Sequence, residues 1–86
     1  MTAPVSWLMI EPGWVVEANG GKEVGTVREV LGDEEADIFD GLAVSHGVLH
    51  RSRYVPAESV GEITEGRVAL TLSSDEFERL GDYEPQ

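Results

Sequence analysis

Arg53-Tyr54-Val55-Pro56-Ala57-Glu58-Ser59-Val60 decides the fold: a β-branched and aromatic run stops at a proline, crosses an acidic turn and restarts on a valine. Proline has no N–H to donate to a ladder and biases the residue before it to extended geometry, so Pro56 belongs at a strand end. Upstream, Ile38 to Ser45 and Val48 to Val55 flank His46-Gly47, a pair with the glycine-second pattern of a two-residue hairpin turn. That register sets Phe39 opposite Tyr54, Ile38 opposite Val55, Val44 opposite Leu49 and Asp40 opposite Arg53, which gives aromatic, aliphatic and opposite-charge partners. Asp40, Arg51 and Arg53 then share a side with Leu42 and Val44, so a bend or bulge is expected in this ribbon.

Downstream of Pro56-Ala57-Glu58-Ser59, which turns the chain toward a last hairpin, Val60 to Thr64 and Arg67 to Leu72 surround Glu65-Gly66. Val68, Leu70 and Leu72 alternate with Ala69, Thr71 and Ser73, the period of a half-buried strand, and Ile63 falls opposite Val68. At Ser73 the period changes. Ser73 and Glu76 form a capping-box pattern, and a short closing helix follows with Phe77 and Leu80 on one face to plug a barrel end. Gly81 stops it, and 81–86 reads as a frayed acidic tail.

Toward the N-terminus, Val5 to Ile10 is a short apolar segment broken by Pro12-Gly13. Trp7, Leu8 and Met9 would be a sticky patch if exposed, so they either cover a barrel end or form an oligomer contact. Trp14 to Glu17 reads as a strand, and Asn19-Gly20 as a hairpin turn that sets Val15 opposite Val24, unless Gly20-Gly21 lengthens the loop. Val24, Val27, Val30 and Leu31 follow helical spacing, and Thr26 with Glu29 mimics a capping box. Gly25, Gly32 and three valines favour a strand, with a bulge at Gly25. Gly32 to Asp37 is a loop with four carboxylates. The spacing from Asp33 to Asp37 does not fit an EF-hand, so it reads as a solvated acidic loop, with a divalent-cation site as the alternative.

With 86 residues the chain makes one domain, 1–86, whose core spans about 12–80. Seventeen acidic against six basic side chains give a net charge of −11. That field repels phosphate backbones and anionic headgroups, so nucleic acid is not an expected partner. The acidity serves solubility or, alternatively, a basic partner. The absence of cysteine fits a reducing cytoplasm. The first ten residues lack the basic start and long apolar run of a signal peptide or membrane span, and a cytoplasmic protein is expected.

Gly13-Trp14-Val15-Val16, Glu23-Val24-Gly25-Thr26-Val27, Tyr54-Val55-Pro56-Ala57-Glu58-Ser59-Val60 and Gly66-Arg67-Val68-Ala69-Leu70 resemble the PRC-barrel family in order and spacing, over about residues 12–72. That family is named for the cytoplasmic domain of the photosynthetic reaction-centre H subunit and includes the C-terminal domain of the bacterial ribosome maturation factor. The resemblance implies a mostly β fold, a small antiparallel six-stranded barrel with a short C-terminal helix, and a habit of binding other proteins. The chain departs from the first in having no transmembrane helix and from the second in having no preceding barrel, so neither specific role carries over.

His46 and His50 are the only histidines; the register puts one in a turn and the other on a strand opposite Ala43, with no third ligand beside them. No serine sits in a nucleophile elbow, and Gly20-Gly21 lacks the lysine of a phosphate loop. No catalytic residue, metal or cofactor is therefore expected. Gly20, Gly25, Gly47, Tyr54, Pro56 and Gly66 are fold landmarks. The expected partner surface is Trp7, Leu8 and Met9 with Arg51 and Arg53. The expected function is a non-enzymatic protein–protein interaction module that self-associates as a homodimer. The alternatives are an RNA-processing or ribosome-assembly accessory and a divalent-cation-binding protein.

Overall fold

Pro56 ends strand β4 (Ser52–Pro56) as its missing N–H requires, and its φ of −66° leads into a single 3-10 turn, Ala57–Ser59. A computed structural model describes residues 4–46 and 52–83. The other elements are a 3-10 turn at Trp7–Met9, β1 (Val15–Glu17), β2 (Glu23–Asp33), β3 (Ile38–Ser45), β5 (Val60–Thr64), β6 (Arg67–Leu70) and α1 (Ser74–Glu78).

The six strands form one sheet in the order β4-β3-β2-β1-β6-β5, with every neighbouring pair antiparallel except β1 and β6, which are parallel. The chain is mostly β as expected, but the sheet is mixed and open where an antiparallel closed barrel was expected. The reason lies at Pro56–Ser59. Six strands joined only by reversals would set β6 antiparallel to β1. At the Ala57–Ser59 turn the chain bends without reversing, β5 runs in the sense of β4, and the parity of the meander breaks. Three 3-10 residues advance the chain by only about 6 Å. Because β4 and β5 are the two edges of the sheet, it must curl until those edges meet at this corner. Thr71, just past β6, continues the β5–β6 ladder by donating its N–H to the Ser59 carbonyl at 2.9 Å.

The inner side of the curl collects Val16, Val27, Leu42, Val44, Val55, Val68 and Leu70, and Ile10 and Phe77 complete the core. Phe77 is delivered by α1, whose expected capping box is present. Ser73 Oγ accepts from the Glu76 N–H at 3.1 Å, and Glu76 Oε1 accepts from the Ser73 N–H at 3.0 Å.

The β5–β6 hairpin has the expected register, with Thr64 opposite Arg67 and Ile63 opposite Val68 around Glu65-Gly66; Gly66 has φ +84°. The β1–β2 hairpin takes the longer loop. Gly20 and Gly21 both lie at positive φ, and Val15 pairs with Thr26 rather than Val24. The β3–β4 register slides by four residues: Val55 pairs with Leu42, Tyr54 with Ala43, Arg53 with Val44 and Ser45 with Ser52. The pairs Phe39–Tyr54 and Asp40–Arg53 do not form. A slide of four is even, so Leu42, Val44 and Val55 share the buried face in either register; the observed register sets Val55 directly opposite the buried Leu42. Six residues rather than two separate the paired Ser45 and Ser52 in the chain, and residues 47–51, with Gly47, His50 and Arg51, lie outside the described residues.

Residues 24–31 are strand. Their helical spacing is produced by two bulges: Val24 is extra against Val16 and Glu17, and Arg28 is extra against Val44 and Ala43. Each inserted residue shifts the alternation by one, so Val24, Val27 and Val30 all pack on the core. The first bulge thus falls beside Gly25, not on it. Gly25 is required for another reason, since a Cβ there would run into the Ser45 carbonyl oxygen. The bend or bulge expected in the β3–β4 ribbon is not in that pairing, which runs without a shift from Gly41 to Ser45; a third bulge of the sheet falls at Asp40, against β2.

Both sheet edges carry a further segment. The tail expected to fray from residue 81 instead ladders onto β4 as far as Tyr83: Tyr54 N–H donates to the Gly81 carbonyl (3.2 Å) and Tyr83 N–H to the Ser52 carbonyl (2.8 Å). On β5, Val5 N–H donates to the Ile63 carbonyl at 2.7 Å and Pro4 bridges Thr64. Among the described residues no helix is long and apolar enough to cross a membrane.

Candidate functional site

Ser6 starts the Trp7–Met9 turn as its N-cap, with Oγ accepting from the Leu8 N–H at 3.2 Å. The turn is fixed at both ends. Ile10, just after it, is buried in the core. Trp7, at its start, stacks on Phe39 with ring centroids 5.0 Å apart and planes 13° from parallel, while its Nε1 donates to Asp37 Oδ1 at 2.9 Å. Pinned in this way, the turn points Leu8 and Met9 outward at 46% and 58% exposure. Ile38, between the two residues that hold Trp7, is 53% exposed.

Of the three apolar residues expected to cover a barrel end or make a contact, Trp7 is thus the fastener, whereas Leu8 and Met9 face outward. Ile38 is exposed as well and was missed, because a lone isoleucine at a strand start reads as core. Phe39 was misread as a partner of Tyr54. It holds Trp7, and Tyr54 instead donates its hydroxyl to the Asp40 carbonyl at 2.9 Å, across the β3 bulge.

The acidic loop adjoins this surface. Asp33 Oδ1 accepts from the N–H groups of Glu35 (3.0 Å) and Ala36 (3.3 Å), Asp37 takes φ +54°, and its carboxylate is committed to Trp7. Glu34 and Glu35 are exposed. Among the described residues no three histidine, aspartate or glutamate side chains converge as a metal set.

Arg53, expected on a partner surface, lies on the inner face because it pairs with the buried Val44. Its guanidinium sits 5.8 Å from the centroid of the Phe77 ring, and Nη1 donates to the Leu80 carbonyl at 2.6 Å. It ties β4 to the end of α1. Arg51 is outside the described residues. His46 meets Phe77 edge-on, with centroids 6.0 Å apart, and borders a shallow cavity of about 190 Å³ with Lys22, Glu23 and Glu78.

On the outer face, two side chains span β3 from its flanks. Arg28 Nη1 donates to Ser52 Oγ at 2.9 Å, and the Tyr83 hydroxyl donates to Glu29 Oε2 at 3.0 Å. That second bond holds the Tyr83 hydroxyl above its ordinary pKa. Sequence reading had no signal for either bond, since each joins residues distant in the chain. The chain matches no protein-family model and none of the curated proteins compared with it.

Proposed function

We propose that the chain is a non-enzymatic protein-interaction module, comparable in kind to PRC-barrel domains, that docks another protein on Leu8, Met9 and Ile38. One observation carries the reading: Leu8 and Met9 are each about half exposed at a turn that an aromatic stack and a buried isoleucine hold in place, and Ile38, half exposed too, lies between the two residues that bind Trp7. Singly exposed apolar residues are ordinary, but a grouped and braced set is the mark of a contact surface. The employment of the polar side chains supports the same reading. Asp33, Asp37, Ser73 and Glu76 cap or fasten local structure, and Arg28, Glu29, Ser52 and Tyr83 bond across strands. The inward position of Arg53 weighs against the RNA-accessory alternative, which relied on it as an exposed cation.

The test is site-specific photo-crosslinking in the host, with the crosslinker at Met9 in one variant and at Asp75, on α1, in another. Discrete protein adducts from Met9 and not from Asp75 are expected. Equal adducts from both, or none from Met9, would remove this reading.

A further inference from the structure

We infer that the Leu8, Met9 and Ile38 surface takes a basic segment of a different protein, one that carries apolar side chains, and not a second copy of this chain. This rests on the interaction-module reading and adds the chemistry of the partner. Ile38 follows directly on the loop with Asp33, Glu34, Glu35 and Asp37, Asp40 lies two residues beyond it, and Glu11 follows the Trp7–Met9 turn by two. The Trp7 Nε1–Asp37 bond sets the turn with Leu8 and Met9 against the acidic loop, whose Glu34 and Glu35 are exposed, so the turn has a carboxylate rim on a chain of net charge −11. Two copies meeting there would oppose rim to rim. A lysine- or arginine-bearing segment would place its apolar side chains on Leu8, Met9 and Ile38 and its cations on the rim, where charge complementarity steers encounter and rejects acidic partners.

Three half-exposed side chains make a small apolar centre, well short of the roughly 1,600 Å² buried in a standard stable interface. That suits a short segment bound with modest affinity rather than an obligate dimer. The strand edges that would otherwise enlarge a self-interface are taken by Pro4–Val5 and Gly81–Tyr83.

Three synthetic peptides of equal length test the inference by calorimetry, with Trp7 emission followed in parallel: one of lysine and leucine, one of lysine and serine, one of glutamate and leucine. The lysine–leucine peptide is expected to bind in the micromolar range, and the other two at least about tenfold more weakly. Glu34→Gln with Glu35→Gln, two exposed positions, should weaken that binding about three- to tenfold at low salt, and the difference should close near 1 M salt, where screening acts within about 3 Å. Met9→Ser should weaken it at every salt concentration. Equal binding of the glutamate–leucine or lysine–serine peptide, no binding of any, or indifference to these substitutions would overturn the inference. So would light scattering that shows a dimer broken by Met9→Ser. Loss of the peptide preference while Met9 still crosslinks a protein in the host would remove the basic partner and leave the interaction module standing.

Discussion

The Trp7–Phe39 stack holds the docking turn in place, so Phe39→Leu should loosen the surface without emptying the core. Leucine keeps aliphatic bulk at a partly buried position and removes only the ring. A stacked aromatic pair contributes about 0.5–1.5 kcal/mol beyond its buried area. The exposed Trp7 Nε1–Asp37 bond depends on the same ring position and adds about 0.5 kcal/mol or somewhat more. The expected loss is therefore about 1–2 kcal/mol, or a fall in Tm of about 4–16 °C for a domain of this size. A double-mutant cycle with Trp7→Leu should return a coupling of about 0.5–1.5 kcal/mol, because the rings touch directly. Trp7 emission should shift to the red as the indole gains water, with Trp14 as the constant background. Strict additivity in the cycle together with unchanged emission would refute the argument that the stack positions Leu8 and Met9.

Phe77→Ala should cost about 3–5 kcal/mol in denaturant melts, since the ring is buried and supports both Arg53 and His46. Gly25→Ala should cost about 1–3 kcal/mol because the methyl meets the Ser45 carbonyl, whereas Gly81→Ala, with open space around it, should change stability by less than about 0.5 kcal/mol. Pro56→Ala should lose only about 0.4–1 kcal/mol, through the unfolded chain, as the native φ of −66° suits either residue. The Glu76 carboxyl is held below its ordinary value of 4.5, first by its bond from the Ser73 N–H. Its folded pKa is thus depressed, so its contribution is present above the ordinary value and lost as pH falls through the depressed one. The stability difference between the protein and Glu76→Gln should accordingly shrink in melts taken at successively lower pH.

What could be read from sequence was local. The Ser73–Glu76 capping box and the Glu65-Gly66 hairpin each lie within a few residues, so residue type and spacing determine them. The β3–β4 register was not local in this sense. An assumed two-residue turn matches Ile38 with Val55 and Phe39 with Tyr54, whereas in the molecule Val55 lies opposite Leu42 and Tyr54 opposite Ala43, with the same face buried in either register. At β2, two bulges counterfeit a helical period, which propensity at Gly25, Gly32 and the valines resolved in favour of strand. For the candidate site, the apolar character of Trp7, Leu8 and Met9 was visible. Their arrangement was not, because the fastener Phe39 and the third outward residue Ile38 come from a hairpin far along the chain.

The non-reversing bend at Pro56–Ser59 also bears on how the chain avoids pairing with itself. An open sheet leaves two edges, each a template for strand addition. On β4 the Gly81–Tyr83 segment takes the free groups of Ser52 and Tyr54, with the Tyr83–Glu29 bond as a further tie. On β5 the cover is Pro4–Val5, and that segment runs directly into the Ser6-capped Trp7–Met9 turn. Edge cover and docking turn are therefore one continuous stretch, anchored at Val5 on β5, at Trp7 on Phe39 and at Ile10 in the core. A partner that pulled the turn away from the sheet would break the Trp7 stack and weaken the cover over Ile63 and Thr64. Docking on Leu8 and Met9 without moving the backbone avoids both losses, which is why the surface is read as preformed rather than as a segment that folds on its partner.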